Sequence, residues 1–358
     1  MSAGPRAWHG PAEALLLPAG AMAAALAVFG LFVWFGGGSP LQAWWLLFRG
    51  AFGDAFSWQN SLQRAAPLML TALAVALPAR AGLTVIGGEG ALVLGALGCA
   101  GLPYLLPGLG GSAGTLAVLL AGALLGGMWV ALAGALRQWR GVNETISSLL
   151  LGYIAIALFK HLVEGPMRDP ASLNKPSTRP LGEGLRIGAI APDSVLGDVH
   201  WGLVIGVALC GAAGLWLSFT ASGFALRVVG GNARAARLVG LPTDRLIVLA
   251  CALGGACAGL AGAVEVAGRT GYVTLDMSPG YGYSGIVIAM LAGLHPLVVV
   301  AASIGVAAVL VGADSMSRAI GVPTYLADGV VASALLAVLV ASMLTRYRLR
   351  FDRPKVVA

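Results

Sequence analysis

The residues able to carry chemistry are few, and most sit among apolar neighbours. Glu89, Glu144, Glu265, His295, Asp314 and Asp328 fall within or at the ends of long apolar runs. A charge at mid-bilayer costs about 3 kcal/mol even on the lenient insertion scale. Such groups therefore face a bundle interior, pair with one another or line a polar path. Glu89 stands in Gly87-Gly-Glu-Gly90, where the glycines permit non-helical backbone and close approach. Asn143-Glu144 opens an apolar run, and a carboxylate there suits the positive end of a helix. Glu265 precedes Arg269 by four residues, the spacing of an ion pair on one helix face. Tyr281, Tyr283 and Ser284 belong to Gly280-Tyr-Gly-Tyr-Ser-Gly285. Those rings could stack on a ligand or anchor at an interface. Glu89, Asn143, Glu144, Tyr281, Tyr283 and Ser284 are the candidates for lining a polar path.

None of this adds up to a catalytic cluster. The lysines are Lys160, Lys175 and Lys355, and none follows a glycine, so the G-x-x-x-x-G-K-[S/T] phosphate loop is missing. There is no H-E-x-x-H, and His9, His161, His200 and His295 are far apart. No metal site and no catalytic residue is expected. Cys99, Cys210, Cys251 and Cys257 lie in apolar runs without a CxxC pair and read as reduced packing residues. If this chain works with ATP, the ATPase is another chain.

The elements that must position these residues follow from composition. The chain has 358 residues, 58% hydrophobic and only 10% charged, with a net charge of +7. Its mean hydropathy is +0.87. That leaves too little polar surface to cover a soluble core, and the apolar runs reach the roughly 20 residues needed to cross a bilayer. They do not alternate as barrel strands would. The fold class is all-α, a polytopic membrane protein of about ten transmembrane helices. The spans are drawn at 15–35, 65–79, 88–104, 112–136, 142–163, 201–220, 246–268, 282–294, 296–313 and 325–345. The spans at 65–79 and 282–294 are short, as tilted, broken or re-entrant segments are. A five-plus-five split would make two halves inverted relative to each other.

Basic residues orient the chain. Arg346, Arg348, Arg350, Arg353 and Lys355 follow the last span, so the tail 346–358 is expected in the cytoplasm. Ten spans return residues 1–14 to the same side, with the membrane domain between them over 15–345. The +7 charge thus reads as orientation rather than nucleic-acid binding. The 164–200 segment, rich in proline and mixed charge, becomes an outer loop suited to touching a partner. The 221–245 segment becomes a cytoplasmic loop with four arginines. Its middle reads as a short helix, with Asn232 as N-cap, Gly240 as stop and Pro242 ending any continuation.

Several segments match a known pattern. Gly223-Phe-Ala-Leu-Arg-Val-Val-Gly-Gly-Asn-Ala-Arg-Ala-Ala-Arg-Leu-Val-Gly240 resembles the cytoplasmic loop of permease subunits of bacterial ABC importers, in the branch serving simple sugars, nucleosides and riboflavin. Gly82-Leu-Thr-Val-Ile-Gly-Gly-Glu-Gly90 resembles that branch's N-I-G-x-E-G segment, although Thr84-Val85 stands where Phe-Asn is usual. Gly141-Val-Asn-Glu-Thr-Ile-Ser-Ser-Leu-Leu-Leu-Gly-Tyr-Ile154 resembles G-x-N-E-V-I-x-T-L-M-L-N-Y-I. Gly165-Pro-Met-Arg-Asp-Pro170 resembles the outer loop that follows, and Gly280-Tyr-Gly-Tyr-Ser-Gly-Ile286 resembles G-Y-G-F-T-G-I. The Gly141–Ile154 segment and the Gly165–Pro170 outer loop point to the nucleoside-type branch.

The resemblance implies two permease chains, identical or paralogous, in a plasma (inner) membrane. It also implies a cytoplasmic ABC ATPase and an external substrate-binding protein. ATP and Mg would be bound by the ATPase, with no cofactor on this chain. Asn232, Arg234, Ala235, Ala236, Arg237, Val239 and Gly240 would form the helix that couples the ATPase to the spans. The polar residues named at the outset would line the translocation path. The alternatives are a permease for simple sugars, riboflavin or branched-chain amino acids, or a solitary gradient-driven carrier.

Overall fold

The computed structural model describes residues 2–5, 27, 30–31, 33–35, 39–192, 194, 197–277, 280–320, 329, 332–333, 336, 340 and 347–350. The helices among them are α1 (Pro40–Phe52), α2 (Ala55–Arg80), α3 (Gly88–Leu105), α4 (Gly111–Arg140), α5 (Glu144–Glu164), α6 (Gly202–Phe219), α7 (Ala221–Gly231), α8 (Ala233–Leu238), α9 (Thr243–Val264), α10 (Tyr281–Leu291) and α11 (Pro296–Ile320). A π-helical turn, Glu265–Thr270, extends α9. A four-residue strand β1 (Ser2–Pro5) pairs antiparallel with β2 (Tyr347–Arg350). Seven of the described helices are long and apolar enough to cross a membrane. In hydrocarbon a backbone must satisfy its own N–H and C=O groups, so apolar runs of Ala, Leu, Val and Gly become helices.

The helices differ from the expected spans where polarity and helicity part ways. The short span at 65–79 is corrected: α2 begins ten residues earlier, at Ala55, and carries Pro67 and Pro78 within it. Its first turns hold Gln59, Asn60, Gln63 and Arg64, which hide it from a hydropathy window while remaining helical. By contrast α10 is short as expected, at 11 residues. The expected spans 15–35 and 325–345 lie largely outside the described residues, as do the ends of the 1–14 and 346–358 segments.

The chain divides into two compact units, residues 59–307 and residues 1–58 with 308–358. In the first, α3, α4 and α9 pack closely because glycines remove the side-chain layer between them. A Cβ on Gly126 of α4 would come within 2.6 Å of Gly259 Cα in α9, and one on Gly122 within 2.7 Å of the Gly95 carbonyl oxygen in α3. Without a hydrophobic drive between helices in lipid, such backbone proximity supplies the dispersion that holds them. Helix α4 ends where Gly141 takes φ +69, and its N–H and that of Val142 return to the carbonyls of Arg137 and Leu136.

The second unit contains a helix that hydropathy alone did not mark. In α1, Ala43 is buried against Met316, with Trp44, Leu46 and Leu47 half-buried beside them. Leu41, Trp45, Phe48 and Phe52 are exposed. Phe48 lies 5.7 Å from Phe52, and Phe52 lies 5.0 Å from Trp58. A 13-residue helix with an exposed aromatic row suits the plane of a membrane interface better than its interior.

Candidate functional site

Two regions gather the residues named from the sequence. The first is the 221–245 segment, almost wholly helical. Thr220 caps α7 by accepting from Gly223 N–H at 3.1 Å. Asn232 then breaks the helix and caps α8, its Oδ1 accepting from the N–H groups of Arg234 and Ala235, both at 3.0 Å. Gly240 closes the segment at φ +81, a left-handed conformation that disfavours other residues. Ala236 is fully buried and packs in a cluster with Leu226, Val229 and Leu246. Arg237 donates to Asp244 at 2.9 Å and to Gln138 at 3.3 Å. Arg234 and Ala235 face outward, and Leu238 and Val239 are 89% and 73% exposed. Helix α8 is thus a short rigid element, anchored through one alanine and presenting two apolar and two basic side chains.

The second region surrounds the start of α3. Glu89 is buried, and its carboxylate accepts from the Gly282 N–H at 2.6 Å. This closes the N-terminus of α10 with a negative group, where the helix dipole favours one. Asn143 caps α5, accepting from Thr145 N–H at 2.9 Å and Ile146 N–H at 3.3 Å. Glu144 is also buried, pairs with Arg137 from the end of α4, and accepts from Thr84 N–H at 3.4 Å. Thr145 donates to the Thr84 carbonyl at 3.0 Å, and Ser148 Oγ accepts from Ile86 N–H at 3.1 Å. The first turn of α5 therefore holds the 83–87 backbone as a strap. Tyr281 is buried, Ser284 is half-buried and Tyr283 is exposed. The structure brings Glu89, Tyr281, Tyr283 and Ser284 together around α10, and Asn143 and Glu144 together below the strap.

Asn143→Ala removes the acceptor for two N–H groups and is expected to cost about 1 kcal/mol of stability. Asn143→Asp is expected to retain most of it. Thermal melting of the detergent-solubilised chain measures both.

Some positioning residues carried little sequence signal. Arg137 and Thr84 act on Glu144 only because α4 turns back into α5 and the strap crosses beneath it. The Glu265–Arg269 pair was legible from its spacing, and Arg269 Nε stands 2.8 Å from Glu265 Oε1. Arg64 of α2 also acts on this carboxylate. Nearby His200 is buried, and its Nδ1 accepts from Gly202 N–H at 3.1 Å. Burial, then the Arg269 charge, pushes its imidazole down to about 4, so the ring is neutral at pH 7. Among the described residues, no group of three or more His, Cys, Asp or Glu could hold a metal ion.

Residues 57–340 match the model of the branched-chain amino acid transport system permease component family. The chain is 35% identical to a glucose ABC transporter permease protein of Haloferax volcanii, over 92% of this chain and 89% of that protein. It is 29% identical to a guanosine ABC transporter permease protein of Bacillus subtilis, over 96% of each. A nucleoside ABC transporter permease protein of Lactococcus lactis subsp. cremoris is 24% identical over 84% of this chain and 83% of its own length.

Proposed function

The chain belongs to the branched-chain amino acid transport system permease component family, in its sugar and nucleoside branch, and from that premise we propose how it works. It is a membrane-spanning transport subunit and not itself an enzyme. Two such chains, identical or paralogous, enclose a path through the plasma membrane, with both termini in the cytoplasm. An external binding protein delivers a nucleoside-like solute, and a cytoplasmic ATPase carries the ATP and Mg. Asn143, Tyr283 and Ser284 border the path, with the buried Glu89, Glu144 and Tyr281 behind them shaping its wall. A path that binds weakly releases its solute quickly, so affinity rests with the binding protein.

The observation that carries this reading is α8. A helix capped at its start, stopped by Gly240 and rooted through buried Ala236 transmits force rather than absorbing it. Its exposed Leu238 and Val239 suit a groove on the ATPase, and Arg234 and Arg237 suit acidic groups at the rim. Closure of two ATPases on ATP would move α8 and tilt the helices joined to it.

The test is Leu238→Asp with Val239→Asp in the assembled transporter. ATP-driven uptake is expected to fall at least tenfold, with the ATPase lost on pull-down and the melting temperature unchanged. Unaltered ATP-driven uptake sinks the assignment of α8. Uptake by the chain alone under an ion gradient favours a solitary carrier instead. A simple sugar is the second substrate reading, favoured by the 35% identity to a glucose permease. Screening the binding protein with guanosine and glucose separates the two.

A further inference from the structure

Two Gly-Tyr pairs meet across the start of α3. On one side, Gly87 and Gly90 lie against α5, and a Cβ on Gly90 would come within 2.6 Å of Gly152 Cα. On the other, Gly282 of α10 lies against Gly88 and Glu89, and a Cβ there would come within 2.6 Å of Glu89 Cα. The residue after each contact glycine is a tyrosine, Tyr153 or Tyr283. Glycine against glycine brings the three backbones together, so the two following side chains rise from neighbouring points of one junction. Tyr153 is 57% exposed and Tyr283 is 41% exposed. Tyr153 and Glu89 both lie within electrostatic reach of the Tyr283 phenol.

Their depth makes the exposure informative. Tyr153 follows Glu144 by nine residues and precedes Glu164 by eleven, which puts it near the middle of α5. A phenol facing lipid tails at that depth finds no hydrogen-bond partner, and tyrosine favours the interface for that reason. Tyr283 lies in the first turn of an 11-residue helix, about 16 Å long and too short to span the bilayer. Broken helices that begin inside the membrane are where transport sites are built. Two exposed phenols at one such junction have aromatic faces and hydroxyl groups to offer a solute and little reason to face lipid.

We infer that Tyr153 and Tyr283 form a ring-binding clamp in the translocation path, taking solutes with a ring face able to stack on a phenol, whether a planar base or the C–H face of a sugar, and a hydroxyl-bearing edge. The inference rests on the transport reading above. Guanosine presents a base and a ribose, and glucose presents a hexose ring. Both carry the shared chemistry, and the measurement distinguishes them. The rings supply stacking and the phenols orient hydroxyl groups.

The experiment uses the assembled transporter in proteoliposomes, with Cys99, Cys210, Cys251 and Cys257 replaced by alanine. Tyr153→Cys and Tyr283→Cys are then exposed separately to a membrane-impermeant maleimide. Both thiols are expected to label from water, at least threefold more slowly with saturating guanosine or glucose present. The solute that protects identifies the ring bound. In the cysteine-intact transporter, Tyr153→Ala and Tyr283→Ala are each expected to lower uptake of that solute at least tenfold. Tyr153→Phe and Tyr283→Phe are expected to recover most of what alanine removes. Thiols that do not label, or that neither solute protects while the parent transporter moves one of them, overturn the clamp alone. A parent transporter that moves neither solute overturns the reading beneath it.

Discussion

Gly262→Leu is expected to leave no folded protein in the membrane. Even a Cβ at this position in α9 would overlap the Leu92 carbonyl oxygen of α3 and come within 2.9 Å of the Ala96 N. Oversized residues in ordinary cores cost about 1–3 kcal/mol, because neighbouring side chains move aside. Here the obstacle is the backbone of a packed helix, so the cost is expected to exceed about 3 kcal/mol. Gly211→Leu in α6 is the matched control, since nothing lies within 4 Å of a Cβ there. Yield and size-exclusion profile of the two variants, expressed in parallel, measure the difference. Equal yields would sink the account of the glycine contacts as the fold's main joint.

Arg269→Met is expected to destabilise the chain by about 3 kcal/mol, the lower end of the range for a buried charge stripped of its partner. Glu265 is fully buried at the start of the π turn, and Arg269 is the ion partner found at 2.8 Å. Arg64 still acts on the carboxylate and softens the loss. Adding Glu265→Gln to Arg269→Met is expected to recover more than half of it, because the uncompensated charge is gone. Melting temperatures of the single and double variants in detergent measure this. A double variant no more stable than the single one would show that packing of the arginine, rather than the charge, carries the effect.

Much of the fold was legible because long apolar runs stop at groups that dislike hydrocarbon. Helix α3 runs 88–105 against an expected 88–104, and α5 runs 144–164 between Asn143 and Gly165 against an expected 142–163. The caps of α8 were legible too, since Asn and Gly act locally through a side-chain oxygen and a left-handed backbone. Helix α1 was not, because its aromatic stripe at helical spacing adds little to a hydropathy sum. The π turn left no sign, as Glu265 and Arg269 sit at the same spacing in an ordinary helix. The six path candidates were found by their polarity. That Glu89 serves α10, and Glu144 serves Arg137 and Thr84, depends on contacts between distant parts of the chain. Tyr153 was missed for the same reason: only the approach of Gly152 to Gly87 and Gly90 sets it beside Tyr283.

Where α3, α4 and α9 meet at Gly95, Gly122, Gly126, Gly259 and Gly262, backbone lies on backbone and few side chains stand between the helices to slide or change rotamer. Domain motions by shear are built from small adjustments in such layers. This three-helix block is therefore expected to move as one piece, with the opening and closing of a path divided among the elements around it. Helix α10 meets the block at the first residues of α3, α5 meets it there and along α4, where Trp129 Nε1 donates to the Leu151 carbonyl at 3.0 Å, and α8 reaches it through Ala236 and the foot of α9. Displacement applied at α8 is therefore expected to reach the tyrosine junction with little loss inside the block.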